Sequence, residues 1–403
     1  MLPLNSSLLT VSNYWGFLLF WRLLNRPGAE HIAPASLCDL LLQYYFMKSG
    51  TTIFLTGFPG FIAGRLIQRL ARDGARFLLL VQPALAARAK SDVARLQTIT
   101  GLPAGHFRLL PGDITQTRLG LCDADWQVVQ DETTLLFHLA AIYDLAVPRE
   151  PAWRVNVLGT QNVNEVALQL PHLTCYHYIS TCYVAGERAG VIRENELRHD
   201  ASFRNFYEET KYFAELEVEA LKERIPLVIH RPSVVCGDSH TGETAKYDGI
   251  YYLIHYLRKW PRLLSRINIG NDAVSVNLVP VDFVVEALAA LAQDERAIGK
   301  TLQLADPAPL TTRELFDVTA HALSGHASVA ALPMSLTQKT LMLPFTPRLT
   351  GLPHSSAPYF FLEQTYDTQQ AAALLASHGI ACPRFSSYVD KLVSFVQEHP
   401  TLD

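Results

Sequence analysis

The sequence predicts a doubly wound α/β fold, a parallel sheet covered by helices on both faces and joined to a smaller C-terminal lobe. Three observations carry that expectation. Short apolar runs bounded by turn residues recur with helical stretches between them, as in a sheet buried on both sides. A glycine-rich turn follows the first run directly. Past residue 236 the alternation gives way to Gly, Pro and aromatic residues, which marks the lobe.

Thr52 to Thr56 is β-branched and aromatic and reads as a buried strand, and the helix after it spans about Gly60 to Asp73. Phe77 to Val81, Phe107 to Leu110 and Thr134 to Leu139 read as the next three strands. Ala152 to Leu170 has helical periodicity, Cys175 to Ser180 reads as a strand, and Phe203 to Arg224 reads as a long helix stopped by Pro226. Leu227 to His230 supplies a sixth strand, and Phe385 to Val396 a closing helix. The 403 residues thus divide into an extension (1–46), a sheet domain (47–235) and a substrate lobe (236–403) whose late elements return to the core.

With 49% hydrophobic and 18% charged residues the chain has material for a large core, which excludes extensive disorder. The net charge of -4 comes from mixed signs without a Lys/Arg block, so nucleic acid is excluded as a partner. Six cysteines lack CxxC or Cys/His spacing, which argues against a metal site and for reduced, buried thiols in a cytoplasmic protein. The first 21 residues carry no charged side chain and end in the aromatic run Tyr14 to Trp21. They lack the basic start and cleavage site of a signal peptide, and Asn5, Ser6, Ser7, Ser12 and Asn13 dilute them below a spanning segment. An accessory extension is expected, with peripheral membrane contact through the aromatic run as the alternative.

In Thr56-Gly57-Phe58-Pro59-Gly60-Phe61-Ile62-Ala63, two glycines turn strand into helix and leave amides facing a pyrophosphate at the helix N-terminus. Alone the string is an ordinary tight turn; between an apolar strand and a helix it predicts a dinucleotide cradle. No carboxylate ends the second strand, where Gln82 stands, and Arg88 and Lys90 follow. NADP(H) is therefore favoured over NAD(H), although a solvated helix face explains the two cations equally simply. Asp113, followed by Ile114, is placed to meet the adenine amino group, where a lone Asp would otherwise cap a turn. Tyr207 and Lys211 lie four apart on one helical face, so the ammonium is expected to lower the phenol's pKa and to reach the nicotinamide ribose. Alone this is a surface pair. Tyr178-Ile179-Ser180-Thr181 at the end of the fifth strand adds a hydroxyl.

These motifs, together with His138-Leu139-Ala140-Ala141, Asn156-Val157-Leu158-Gly159-Thr160 and Arg231-Pro232-Ser233-Val234-Val235-Cys236-Gly237, occur in the order of the extended short-chain dehydrogenase/reductase family. The chain resembles that family over roughly residues 50 to 290. The resemblance implies a Rossmann sheet, a catalytic group of Thr181, Tyr207 and Lys211, and Asn156 holding a water in the proton relay. Thr181 is preferred over Ser180 because it stands five positions before Gly186, as the family pattern requires. Gly57, Pro59, Gly60, Phe61 and Ile62 would form the cradle, Ala140 and Ala141 would line the cofactor cleft, and Pro232 and Val234 would meet the nicotinamide end. Ala63 departs from the family's third glycine, and Gln82 from the Arg of many NADPH-using relatives. His138 and His230 close apolar strands and read as structural.

Arg231 to Gly242 most resembles the branch of fatty acyl-CoA reductases, thioester-reductase domains and male-sterility proteins. Tyr247, Tyr251, Tyr252, Leu253, Tyr256, Leu257 and Trp260 suit a bulky apolar ligand, or equally an aromatic helix packed in a core. The expected activity is hydride transfer to or from a carbonyl or alcohol of a lipid-like molecule, first an acyl thioester or fatty aldehyde. A 3β-hydroxysteroid or sterol carboxylate, a nucleotide sugar, and a non-catalytic dinucleotide binder are the alternatives. Arg258, Lys259, Arg262 and Arg266 offer cations for a coenzyme A phosphate or a sterol acid, and the family allows a homodimer.

Overall fold

The computed structural model describes residues 50–341 and 357–402, so the readings made on residues 1–46 lie outside the described residues. Seven strands build one parallel sheet: β1 (Thr52–Thr56), β2 (Arg76–Val81), β3 (Phe107–Pro111), β4 (Leu135–His138), β5 (Cys175–Ile179), β7 (Leu227–Pro232) and β11 (Thr301–Leu304). Between them in sequence fall the short strands β6 (Gly190–Ile192), β8 (Val234–Cys236), β9 (Ile267–Asn268) and β10 (Leu278–Pro280). The last two strands are β12 (Ala330–Ala331) and β13 (Gln364–Tyr366). The sheet order is β11-β7-β5-β4-β1-β2-β3, so chain direction across the sheet reverses between β4 and β1. That reversal opens a crevice at the C-terminal strand ends, where ligands of such sheets bind.

Alternation along each strand divides the apolar side chains between the two faces. Ile53, Leu55, Phe77 and Leu79 pack with helices α1 (Phe61–Ala71) and α2 (Ala86–Thr100). Phe54, Leu78, Leu80, Tyr176 and Tyr178 face the opposite layer of α3 (Asp123–Glu132), α4 (Gly159–Ala167) and α5 (Phe206–Glu219). The lobe has its own core, in which Ile250, Tyr251 and Leu257 of α6 (Ile250–Lys259) meet other helices. Helix α7 (Val281–Leu291) joins the first layer, while α8 (Thr312–Ser324) brings Leu315 and Phe316 to the lobe core. Helix α9 (Gln369–Ser377) covers the first layer, and α10 (Val389–Glu398) closes the lobe.

Several expected boundaries shift for local reasons. Helix α5 begins at Phe206, later than expected, because Asn205 caps it, accepting from the Glu208 amide at 3.0 Å. The stretch expected as one helix from Ala152 opens as a π-helical segment, Trp153–Leu158, before α4. Sequence reading missed β11 and α7 entirely. Cys175, Cys182 and Cys236 are buried as expected, but Cys122 is exposed, its thiol donating to Asp125 Oδ2 at 3.4 Å. Among the described residues, no helix is long and apolar enough to cross a membrane.

Candidate active site

Gly57 follows β1 at φ +94°, and a Cβ there would stand 2.8 Å from the Ala140 amide nitrogen. A Cβ on Gly60 would stand 2.6 Å from the Gly57 carbonyl oxygen. Both glycines are thus required by backbone contact. Gly60 caps α1 without any side chain taking up the first amides of the helix. Such free amides above a tight turn fit the pyrophosphate of a dinucleotide. Ala63 is buried in the helix face, where the small side chain permits close packing.

A cleft of about 760 Å³ runs across these strand ends. Its lining includes Gly57, Pro59, Gly60, Phe61 and Ile62 from the cradle, with Gln82, Arg88, Asp113 and Ile114 on one side. Ala140, Ala141, Thr181, Tyr207, Lys211, Pro232 and Val234 also line it. Gln82 Nε2 donates to Asp113 Oδ2 at 3.3 Å, and Asp113 Oδ1 accepts from the Thr115 amide at 2.8 Å. Arg88 is mostly exposed and lies 3.8 Å from Asp92, a weak pairing that leaves its head available to the cleft.

Among the residues put forward as catalytic, the structure brings Thr181, Tyr207 and Lys211 to this cleft but leaves Asn156 outside its lining. The Asn156 side chain is buried and spanned by neighbours: Oδ1 accepts from the Ile142 amide at 2.8 Å and Nδ2 donates to Thr210 Oγ1 at 3.0 Å. It ties the loop after β4 to helix α5. Ser180 donates to the Glu215 carboxylate, which Arg231 Nε also reaches at 2.9 Å. Thr181, by contrast, accepts from the Tyr183 amide at 3.2 Å and lies close enough to the Tyr207 phenol to lower its pKa.

The electrostatics correct one expectation. Burial pushes the Tyr207 phenol above the ordinary tyrosine range, outweighing the lowering by Thr181. Lys211 does not reverse this because its ammonium donates elsewhere, to Tyr178 Oη at 2.9 Å and the Ile179 carbonyl at 2.8 Å. Burial also brings the Lys211 pKa down to about 7. The folded chain therefore holds this proton less tightly than the unfolded chain, whose lysine titrates near 10.5. Between those values the unfolded state binds more protons, so stability rises with pH across that window. Wild type is expected to gain thermal stability from about pH 7 to 10 relative to Lys211→Met. Parallel melting temperatures for the two proteins over that range would contradict the assigned burial.

His138 shares hydrogen bonds with Thr56 Oγ1 at 2.7 Å and Thr160 Oγ1 at 3.0 Å, and burial lowers its pKa to about 3. His230 is buried against His177 at 3.0 Å. Both are therefore placed as neutral framework groups.

Sequence reasoning missed Tyr143, Tyr183 and Asp248, which complete the cleft, Tyr143 and Asp248 from loops and Tyr183 from a short 3-10 turn, Cys182–Ala185. Tyr143 packs edge-on against Tyr207 with ring centres 5.2 Å apart. Past these residues the space continues into a pocket of about 170 Å³ that includes Tyr252, Leu278, Leu315 and Phe360. A smaller pocket beyond shares Tyr252, Leu315 and Phe360 and adds Tyr256, Ile269, Phe316 and Phe361. The aromatic segment thus divides: Tyr251 and Leu257 fill the core, Tyr252 and Tyr256 face this extension, and Trp260 is exposed. Arg258, Lys259, Arg262 and Arg266, expected near the ligand, line none of these three spaces.

An NAD-binding family model described as male sterility protein matches residues 55–288. The chain belongs to this family. It is an extended short-chain dehydrogenase/reductase, an enzyme class that uses a nicotinamide cofactor. Glycine betaine reductase ATRR of Emericella nidulans is 27% identical over 305 residues, 71% of this chain and 23% of that protein. Carboxylic acid reductase of Segniliparus rugosus is 28% identical over 270 residues, 60% of this chain and 23% of that protein. The chain therefore spans under a quarter of the length of either relative. The terminal R domain of the myxalamid PKS-NRPS pathway shares the fold, with a TM-score of 0.70 and 24% identity over 87% of this chain and 92% of that one.

Proposed function

We propose that this male sterility family member reduces an acyl thioester or fatty aldehyde, with NADP(H) as the preferred cofactor. The observation that carries the reading is that the cleft at Thr181 and Tyr207 shares the walls Tyr143, Tyr183 and Asp248 with a mainly apolar pocket lined by Tyr252, Leu315 and Phe360. The reductase names of the curated relatives support it. Bound reduced nicotinamide supplies a hydride to the carbonyl carbon. Thr181 holds the carbonyl oxygen by its hydroxyl, and Tyr207, kept protonated by burial, gives that oxygen its proton. For a thioester the resulting hydroxyl returns its proton to the Tyr207 phenolate as the C–S bond breaks. Aldehyde is released, and the departing thiolate takes one proton from solvent. Lys211, held against the end of β5 by Tyr178 and the Ile179 carbonyl, would hold the nicotinamide ribose from the cleft wall.

The reading is tested by following reduced nicotinamide with long-chain acyl thioesters, fatty aldehydes, 3β-hydroxysteroids and nucleotide sugars under one condition. Turnover of thioesters or aldehydes is expected. Activity confined to steroids would keep the mechanism and replace the substrate, and activity confined to sugars would overturn both.

The cofactor preference rests on Gln82, which presents an amide where a carboxylate would repel a 2′-phosphate, and on Arg88 nearby in the cleft. Gln82→Asp is expected to reverse the NADPH:NADH ratio of kcat/KM by about tenfold or more, through that repulsion and a new bond to the ribose hydroxyl. An unchanged ratio would place recognition elsewhere.

A further inference from the structure

The cations that fail to reach the cleft belong to a different surface. Trp260 is 66% exposed, Leu263 62%, Ile267 45% and Val329 78%. They are neighbours in space: the Leu263 amide donates to the Trp260 carbonyl at 3.0 Å, the Val329 amide donates to the Arg266 carbonyl at 3.0 Å, and Ile267 pairs with Ala330 across β9 and β12. Exposed Arg262 and Arg266 lie between the apolar groups in the chain. No acidic residue occurs from Gly249 to Asn271 or from Val318 to Leu362. Among the described residues no carboxylate pairs with Arg262 or Arg266, while the flanking Asp272 pairs with Arg313 at 2.9 Å. The surface is thus apolar, aromatic and basic at once, with one carboxylate at its edge, Asp317, which is taken up by the Ser328 amide at 3.1 Å and the Ser328 hydroxyl.

We infer that the turn Trp260 to Ile267, with Val329, is a docking face for an anionic lipid bilayer. An indole and guanidinium groups sit at headgroup depth, while aliphatic side chains enter the acyl boundary. Each arginine adds attraction to anionic headgroups, which falls away with salt. The face adjoins the far end of the apolar extension, since Tyr256 of α6 and Ile269 just past β9 line the outer pocket. The inference concerns adsorption and stands independently of which carbonyl is reduced.

The full chain is tested by flotation with vesicles of phosphatidylcholine and with equimolar phosphatidylcholine and phosphatidylglycerol. Wild type is expected to bind the anionic vesicles at least about tenfold better than the neutral ones. Trp260→Ser with Leu263→Ser should lower binding to both by about tenfold, and Arg262→Gln with Arg266→Gln should abolish only the anionic preference. These side chains are exposed, so melting temperature and short-substrate activity should hold. Wild-type binding by either double variant would overturn the proposal, as would failure of wild type to bind vesicles while an acidic carrier protein binds through the same arginines.

Discussion

Tyr207→Phe is expected to lower kcat by about a hundredfold or more while changing cofactor affinity by no more than about threefold. The phenol lines the cleft, almost fully buried, beside Thr181 and packed edge-on by Tyr143. Removing one oxygen deletes the proton source and leaves the cradle at Gly57 and Gly60 untouched. Because burial raises its pKa, Tyr207 stays protonated through neutral and mildly alkaline pH, which suits an acid in the reductive direction. Stopped-flow turnover and fluorescence titration of reduced cofactor separate the two effects. Retention of more than about a tenth of wild-type turnover would remove Tyr207 from the role of acid.

The parts of this site that repeat a local pattern were legible in the sequence. Apolar runs gave β1 to β5 and β7 within a few residues, because strands buried on both faces have little freedom in composition. The glycines of the cradle could be read because a close backbone approach leaves no other residue type room there. What escaped depended on tertiary context. Helix α7 is buried on nearly every side, so Val281–Leu291 keeps only Asp282 and Glu286 of the polar stripe that marks a surface helix. Strand β11 has only four residues, one of them Gln303, whose buried amide donates to the Ile192 carbonyl. Its polarity disguised a core strand. Tyr143 and Asp248 sit on loops and Tyr183 on a short 3-10 turn, with no periodicity to betray them, and the cleft assembles them from separate connections. The spacing of Tyr207 and Lys211 brings both to the cleft lining, but the expected lowering of the phenol pKa does not follow, since Tyr178 and Ile179 claim the ammonium and burial governs the phenol. Arginines 258, 262 and 266 show the same limit: proximity in sequence to aromatic residues does not establish that they share a pocket.

Glu215→Gln should cause the largest loss of stability, about 3 to 5 kcal/mol, because it strands the Arg231 guanidinium in the interior without its counter-charge. Both side chains are at most 1% exposed, and Arg231 Nη2 lies 2.5 Å from Glu215 Oε1. The remaining Arg231 bonds run to the carbonyls of Glu196 at 3.1 Å and Glu194 at 3.4 Å, which carry only partial charge. Urea unfolding should therefore show a lower midpoint with an unchanged slope. Replacing both partners, Glu215→Leu with Arg231→Met, should recover part of the loss, since neither charge is then buried alone. A single-variant loss below about 1 kcal/mol would mean that water or a rearranged side chain reaches the guanidinium. The pair also shapes the cleft wall. Ser180, which donates to Glu215, precedes Thr181 at the end of β5, and Arg231 precedes Pro232 at the end of β7. The ion pair thus clamps two adjacent strand ends that present Thr181 and Pro232 to the cleft. Folded Glu215→Gln protein should consequently lose turnover more than cofactor affinity, whereas proportionate losses of both would make the pair a matter of stability alone.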